Sequence, residues 1–257
     1  MKMATYNVNG LRARMPLLTG WLKEELPDVV CLQETKVTDD LFPVAELAAV
    51  GYECAFIGEK SFNGVAILSR VKPDEVKYGF AFSDPTDGPR FIRARFGDLW
   101  VLNTYIPQGQ DVHKEQFQYK LKWLERFQEE VEKTYTAKDH LIWVGDLNVA
   151  LTDKDVHSPE KMIGNVGFHP DEQAALLKCQ NWGFMDLFRQ FHPEEVAYTF
   201  WDYRVPNGFK RNIGWRLDYI YATSMVAQTA VRCEVATTMR TAEKPSDHAP
   251  VIAMFKE

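Results

Sequence analysis

Four groups of acidic and amide side chains border short apolar runs of the sequence, where a purely structural strand would simply turn. The groups are Asn7 with Asn9, Glu34, Asp146 with Asn148, and Asp247 with His248. Alternation along a strand places both members of a pair such as Asn7 and Asn9 on one face. A single group of this kind is typical of a turn or a helix cap. Four groups in similar positions instead favour one shared site.

Hydrolysis of a phosphodiester is the chemistry that these groups could share. Glu34, helped by Asp247 and by amide oxygens, can hold Mg²⁺ and leave coordination positions for water and phosphate. Mn²⁺ is expected to substitute, because it accepts the same oxygen ligands. Asp146 could orient or deprotonate the attacking water, and Asn148 could fix the water or donate to a phosphate oxygen.

His248 is the only one of the six histidines that lies in such a group, so the sequence offers no ligand set for zinc. A protonated His248 could stabilise the charge of a phosphate. An acidic partner would keep the imidazole protonated, and Asp218 in the segment LDYIY is the candidate.

The chain of 257 residues is 46% hydrophobic and 26% charged, which allows a sizeable core. We expect one domain over residues 1–257. No apolar run approaches the roughly 20 residues that cross a bilayer, and the segment MKMATYNVNG lacks the apolar stretch of a secretion signal. The four scattered cysteines predict reduced thiols. We therefore expect an intracellular protein with no membrane partner, cytoplasmic or, in a eukaryote, nuclear.

The formal net charge of −6 counts against a histone-like binder, because nonspecific affinity for DNA comes largely from Lys and Arg. Any nucleic-acid surface must be local. The basic residues that could form it are Arg12, Arg14, Lys36, Lys120, Lys122, Lys210, Arg211, Arg216, Arg240 and Lys244. Each alone is more typical of a solvated surface.

Short runs rich in β-branched and aromatic residues predict eight strands. They cover residues 2–8, 28–33, 64–69, 91–96, 100–105, 140–145, 217–221 and 250–255. Amphipathic segments predict helices over residues 16–26, 39–50, 113–134 and 170–182. This alternation indicates an α/β layered domain, but it leaves open whether the strands form one doubly wound sheet or two packed sheets.

Ordered motifs along almost the whole chain resemble the exonuclease III family of abasic-site (AP) endonucleases, in the endonuclease/exonuclease/phosphatase superfamily. The motifs are YNVNGLRAR, LPDVVCLQETKVTDDLFP, NTYIPQG, VGDLNVA, FMDLFRQFHP, YTFWDYR, GWRLDYI and EKPSDHAPV. The resemblance implies an α/β fold of two packed β-sheets flanked by helices, a four-layer sandwich like that of deoxyribonuclease I. The active site would lie where strand ends and loops of both sheets converge.

The resemblance also implies roles for matching residues. Asn7, Glu34 and Asp247 would lie on the metal side, and the catalytic positions would be those of Tyr105, Asp146, Asn148, Asp218 and His248. Enzymes of this family use water to cleave duplex DNA on the 5′ side of an abasic deoxyribose, leaving a 3′-hydroxyl and a 5′-deoxyribose phosphate. Asp146 and His248 both fit the formal base, and we favour Asp146.

Phe200, Trp215 and Leu217 resemble the small apolar pocket that receives the flipped-out sugar of an abasic site. Such a pocket favours abasic DNA because little stacking or pairing remains to be broken. From their types alone, the three would be ordinary core residues. The same resemblance implies substrate contacts by Asn9, Lys36, Gln108, Arg204 and Asn212.

The chain departs from the bacterial exonuclease III pattern in two places. The segment after Tyr105 is shorter, and SPEKMIGNVGFHPDEQ lacks a strongly basic stretch. GNVGF and GWRLDY are closer to the animal-type branch, so the strength of 3′-to-5′ exonuclease activity and of 3′-phosphatase action stays open. The alternatives are a nonspecific deoxyribonuclease, another phosphodiesterase of the superfamily, and an inactive DNA-binding scaffold. We expect a monomer.

Overall fold

The structure, a computed structural model, describes residues 1–81 and 87–256. The strands in these residues are β1 (Lys2–Asn7), β2 (Val29–Gln33), β3 (Glu53–Ile57), β4 (Val65–Ser69), β5 (Glu75–Tyr78), β6 (Phe91–Phe96), β7 (Leu99–Tyr105), β8 (His140–Asp146), β9 (Phe184–Asp186), β10 (Asp218–Thr223), β11 (Ala230–Val235) and β12 (Val251–Phe255). The α-helices are α1 (Leu11–Glu25), α2 (Val44–Ala48), α3 (Glu115–Thr134), α4 (Pro159–Met162), α5 (Pro170–Asn181), α6 (Leu187–Phe191) and α7 (Ser224–Ala227). Short 3₁₀-helices lie at Asp39–Leu41, Asp153–Asp155 and Thr237–Thr241.

The strands form two six-stranded sheets, each built around one parallel pair. The first sheet has the order β11-β12-β1-β2-β4-β3, and the second has the order β5-β6-β7-β8-β10-β9. β1 and β2 are parallel and are joined by α1, whereas β7 and β8 are parallel and are joined through α3. A parallel pair needs such a crossover connection. As a result, the carboxyl ends of both strands in each pair lie at the same edge of their sheet.

The two sheets pack face to face, with helices on their outer faces. Apolar side chains of both sheets, among them Ile67 and Val101, fill the space between them. Phe127 of α3 and Leu176 of α5 cover the outer face of the second sheet. Leu18 of α1 packs in the apolar layer on the outer face of the first sheet. The predicted fold of two sheets flanked by helices is therefore confirmed.

All eight predicted strands are present, and their ends differ from the prediction by no more than two residues. Four further strands, β3, β5, β9 and β11, were not predicted, and they form the four outer edges of the two sheets. No residue of β5 is fully buried, and β9 has only three residues. An edge strand has one partner and more solvent contact, so its sequence carries a weaker apolar signal.

Two predicted helices have different bounds in the structure. α1 begins at Leu11 rather than at Pro16, because its buried face starts at Leu11 and the proline removes only the hydrogen bond to the carbonyl of Arg12. The helix predicted over residues 39–50 is divided at Pro43, which lacks an N–H and keeps Phe42 extended. None of the described helices is long and apolar enough to cross a bilayer.

Gly145 fixes how the second sheet presents the residue after it, Asp146. The φ of Gly145 is 146°, and a Cβ there would lie 1.9 Å from the carbonyl oxygen of Thr104 on β7. Only glycine permits this close approach. The strand register places both Tyr105 and Asp218 opposite Asp146. Strand pairing therefore brings three candidate residues to one end of the sheet.

Candidate active site

The candidate residues meet where the carboxyl ends of the two parallel strand pairs approach each other. Asn7 is the last residue of β1, and Glu34 directly follows β2. Tyr105 and Asp146 are the last residues of β7 and β8. The carboxyl ends of parallel strands are the usual ligand-binding edge of open α/β sheets. Here both sheets contribute such an edge to one site.

Asn7 joins the two sheets at this edge. Its amide nitrogen donates to Glu34 Oε1 and to Asp146 Oδ2, both at 2.8 Å. Its amide oxygen accepts the backbone N–H of Asn9 at 2.9 Å. In this arrangement the Asn7 amide nitrogen orients the two carboxylates, and its oxygen fixes the backbone of Asn9. The oxygens available to a cation here come from Glu34 and Asp146.

The loop after β2 holds Glu34 in a strained backbone conformation. Glu34 and Lys36 have φ values of 50° and 53°, in the left-handed region that residues other than glycine rarely adopt. The Gly10 N–H donates to the Glu34 carbonyl at 2.8 Å, and the Lys36 N–H donates to the Asn63 carbonyl at 3.0 Å. Strain of this kind persists only where surrounding contacts enforce it, and it is concentrated at functional sites.

Lys36 keeps Glu34 ionised. The Lys36 ammonium lies 2.7 Å from Glu34 Oε2. Burial raises the pKa of Glu34, but the ammonium and the hydrogen bond from Asn7 outweigh burial, and the pKa falls below its ordinary value. Glu34 is therefore a carboxylate at neutral pH, which suits a hard divalent cation.

His248 is a buried cation. Its Nδ1 lies 2.8 Å from Asp218 Oδ2, and its Nε2 lies 3.7 Å from Asp146 Oδ2. Burial lowers the pKa of the imidazole, but the two carboxylates outweigh burial and raise the pKa to about 10. A doubly protonated ring has no free lone pair. His248 is therefore suited to stabilising phosphate charge and not to binding a metal.

Asp146 has the charge environment of a base. Burial raises the pKa of Asp146, and the His248 cation lowers it. The neighbouring carboxylates of Asp218 and Glu34 raise it further, so the pKa is about 7. Asp146 Oδ1 accepts the backbone N–H of Asn148 at 3.0 Å, and Asn148 Nδ2 donates to the Ile106 carbonyl at 2.9 Å. A general base is most effective when its pKa lies near the working pH.

Tyr105 is a neutral hydrogen-bond donor at the end of β7. Burial and the charges of Glu34 and Asp146 raise the pKa of its phenol well above the ordinary value. The guanidinium of Arg90 lies 4.7 Å from the centre of the Tyr105 ring. Sequence reasoning missed Arg90, because an arginine before a strand gives no signal that it lies beside a site.

Asp247 borders the tightest cluster without belonging to it. Glu34, Asp146 and His248 each offer one potential ligand atom, and these three atoms lie within 4.8 Å of one another. Among the described residues, no other group of three acidic, histidine or cysteine side chains is as close together. Asp247 lines the same cavity, but its carboxylate accepts a hydrogen bond from Asn9 Nδ2 at 2.9 Å. Its predicted place on the metal side therefore corresponds to a peripheral position.

One cavity of about 520 Å³ is lined both by the charged cluster of Glu34, Asp146 and His248 and by the apolar trio of Phe200, Trp215 and Leu217. The residues that line it include Glu34, Tyr105, Asp146, Asn148, His248, Phe200, Trp215 and Leu217. Backbone hydrogen bonds of 2.9 Å in both directions hold Phe200 beside Trp215. The ring centre of Phe200 lies 4.9 Å from that of His248. The structure thus brings the three apolar residues together, directly beside the charged cluster.

The remaining residues predicted to contact substrate occupy different places. Gln108 and Arg204 line the cavity. Lys36 lies beside Glu34 at its border. Asn212 instead lines a second cavity, where its amide oxygen accepts from Trp201 Nε1 at 3.4 Å. The structure therefore does not bring Asn212 into the candidate site.

Two of the basic residues considered for a DNA surface are buried. Arg216 donates to Asp155 Oδ1 at 2.6 Å and to Asp186 Oδ2 at 2.8 Å, and only 2% of its side chain is exposed. Lys120 is fully buried against Glu172. A buried charge needs an opposite charge beside it. The sequence shows that Arg216 and Lys120 are charged but does not show which acidic residues pair with them. Both residues therefore form internal ion pairs and are not available to contact phosphates.

Comparison with known proteins identifies the family. The sequence profile of the Endonuclease/Exonuclease/phosphatase family matches residues 4–248. Exodeoxyribonuclease III of Haemophilus influenzae is 34% identical, and the match covers 100% of both chains. An exodeoxyribonuclease of Bacillus subtilis is 33% identical over 98% of each chain. The chain belongs to the Endonuclease/Exonuclease/phosphatase family.

Two solved structures show which members of that family the chain resembles in fold. The structure of an AP endonuclease from Archaeoglobus fulgidus is 44% identical, with a TM-score of 0.97 over the whole of both chains. A 3′ phosphatase from Neisseria, bound to a product DNA hairpin, is 35% identical, with a TM-score of 0.95 and the same full coverage. The resemblance to the exonuclease III type that the motifs indicated is therefore confirmed.

We expect Asp218→Asn to lower the pKa of His248, because Asp218 is the strongest influence that opposes burial of the imidazole. The folded-state pKa of His248 lies above its unfolded value, so the charge contributes stability below about pH 6.5. That contribution is lost as the pH rises through the folded pKa.

Nuclear magnetic resonance titration of the His248 ring in metal-free protein measures this shift. The wild-type ring should stay protonated at pH 8, and the Asp218→Asn ring should lose its proton at lower pH. Asp247→Asn is the control, because Asp247 contributes less than Asp218 and Asp146 to the raised pKa of His248. Identical titration curves for Asp218→Asn and wild type would refute the ion pair.

Proposed function

We propose that this protein is a DNA repair endonuclease that hydrolyses the phosphodiester on the 5′ side of an abasic site in duplex DNA, acting as a monomer. The observation that carries the proposal is the shared cavity. Glu34, Asp146 and His248 lie at one end of it, and Phe200 and Trp215 form an apolar wall directly beside them. The likeness to an AP endonuclease and to exodeoxyribonuclease III supports the same activity.

We propose Mg²⁺ as the cofactor, with Mn²⁺ as a substitute. Glu34 would hold the ion, because carboxylate oxygens are hard ligands, and Asp247 offers a further carboxylate at the border. A bound divalent ion supplies positive charge that stabilises the oxygens of the scissile phosphate.

The residues around the scissile phosphate would each carry out a different part of the hydrolysis. Asp146 accepts a proton from the attacking water, which Asn148 helps to orient. The His248 imidazolium and the Tyr105 phenol donate to phosphate oxygens as negative charge increases on them. Water bonds to phosphorus, the bond from phosphorus to O3′ of the preceding nucleotide breaks, and O3′ takes up a proton from solvent water. The products carry a 3′-hydroxyl and a 5′-deoxyribose phosphate.

The apolar wall would select the abasic nucleotide. A deoxyribose without its base can leave the helix without breaking base pairs or much stacking, whereas an intact nucleotide would lose several kcal/mol in doing so. Trp215 packs close to Gly167, where an added Cβ would lie 3.4 Å from the indole ring. The Gly167 backbone therefore packs against Trp215 and supports the wall from behind.

Incision of a defined duplex tests the proposed function. One strand carries a tetrahydrofuran abasic analogue and an end label, and its twin is undamaged. We expect incision of the abasic strand with Mg²⁺ and none with excess EDTA. A third duplex, with a 3′-phosphate at a nick, measures phosphatase action on the same cofactor.

The alternatives give different results in this assay. Equal incision of both duplexes would indicate a nonspecific nuclease, and incision of neither would indicate an inactive scaffold. Full incision in EDTA would remove the proposed metal requirement.

We expect Trp215→Ala to reduce the ratio of abasic to intact cleavage by about 10-fold or more, because the sugar loses a shape-matched contact. The charged cluster stays in place in this variant, so cleavage itself should persist. Single-turnover rates on the two duplexes give the ratio.

Lys210→Ala is the control for Trp215→Ala, because Lys210 is exposed and would act only through phosphate charge. It should weaken binding of both duplexes equally and lower the salt dependence. A Trp215→Ala protein with an unchanged ratio and a large loss of thermal stability would assign Trp215 to the core alone.

A further inference from the structure

A fully buried ion pair lies directly beneath the cavity. Lys120 of α3 and Glu172 of α5 have no exposed side-chain surface, and the Lys120 ammonium donates to Glu172 Oε1. Such a pair gains little net stability, because removing both charges from water costs about as much as their attraction returns. A buried pair that contributes little to stability invites a search for what else its atoms contact.

The lysine binds the backbone of two loops that line the cavity. Its ammonium donates to the Asn148 carbonyl at 2.7 Å and to the Gln108 carbonyl at 3.3 Å. Asn148 lies in the loop after β8, and Gln108 lies in the loop after β7. One cation therefore joins the loops that follow both strands of the parallel pair.

The glutamate binds a third loop of the same cavity. Glu172 Oε2 accepts the N–H of Gly167 at 2.7 Å and the N–H of His169 at 3.2 Å. The Gly167 carbonyl in turn accepts the N–H of Ala150 at 2.7 Å. Gly167 lines the cavity beside Trp215. The ion pair therefore connects the loop of Asn148 to the segment that backs the apolar wall.

We propose that Lys120 and Glu172 are positioning residues that hold Asn148 and the Gly167 segment in the geometry needed for incision. This inference rests on the proposed function and adds to it a device that couples the catalytic end of the cavity to its recognition end. Neither residue touches the substrate. Their effect passes through four backbone groups of the loops, the carbonyls of Gln108 and Asn148 and the N–H groups of Gly167 and His169.

Lys120→Met should slow single-turnover incision of the abasic duplex by about 10- to 100-fold, the range expected when a catalytic group is displaced by about 1 Å. The dissociation constant for the abasic duplex should change much less, because no phosphate contact is removed. Rates are measured at a temperature where circular dichroism shows every variant to be folded.

Two further variants separate positioning from stability. Lys120→Met/Glu172→Gln removes the uncompensated buried charge, so it should recover stability relative to Lys120→Met without recovering the rate. Arg93→Met is the matched control, because Arg93 forms another buried ion pair, with Glu130 at 2.5 Å, and neither residue lines the catalytic cavity. Arg93→Met should lose stability and keep the incision rate.

Hydrogen exchange measured by mass spectrometry tests the same proposal without any activity. The segment from Asn148 to Gly167 should exchange faster in Lys120→Met and in the double variant, but not in Arg93→Met. Wild-type failure to incise abasic DNA would overturn the proposed function alone. The positioning role would be overturned if the segment from Asn148 to Gly167 exchanged as slowly in Lys120→Met as in the wild type. It would also be overturned if the double variant recovered the incision rate together with stability.

Discussion

The active site depends on holding carboxylates from two different sheets close together in a buried place. Two like charges less than 4.8 Å apart repel by about 3.5 kcal/mol or more at an effective dielectric constant of about 20. The Asn7 amide, which donates to Glu34 and to Asp146, the Lys36 ammonium and the His248 imidazolium offset this repulsion. The same balance leaves Glu34 ionised, His248 protonated and Asp146 with a raised pKa, so three neighbouring groups are ready for three different tasks.

The sequence was sufficient to predict the central strands and the residues at their ends. Central strands are apolar on both faces, so their signal is strong, and β1, β2, β7 and β8 were all found close to their observed bounds. Asn7, Glu34 and Asp146 interrupt that signal at the strand ends, which is why they stood out, whereas Tyr105 was assigned by resemblance. The apolar trio could be assigned only by resemblance, because Phe200, Trp215 and Leu217 have the types of core residues.

Other features depend on contacts that a sequence does not contain. The edge strands were missed because each has a partner on one side only, and their greater contact with solvent weakens the apolar signal. Lys120 and Arg216 resembled surface cations until the structure showed Glu172 beside one and Asp155 beside the other. The left-handed conformation of Glu34 is likewise imposed by hydrogen bonds from distant segments and not by its residue type.

The effect of Mg²⁺ on stability tests most directly whether the carboxylate cluster is built for a cation. A ligand that binds only the folded state stabilises it by about 2.7 kcal/mol at 100 times its dissociation constant. Urea unfolding of the wild type and of Glu34→Gln, with and without Mg²⁺ at matched ionic strength, provides the comparison. The account predicts that Mg²⁺ raises the wild-type free energy of unfolding and that Glu34→Gln loses most of this gain. Equal Mg²⁺ dependence in both proteins, or none in the wild type, would contradict it.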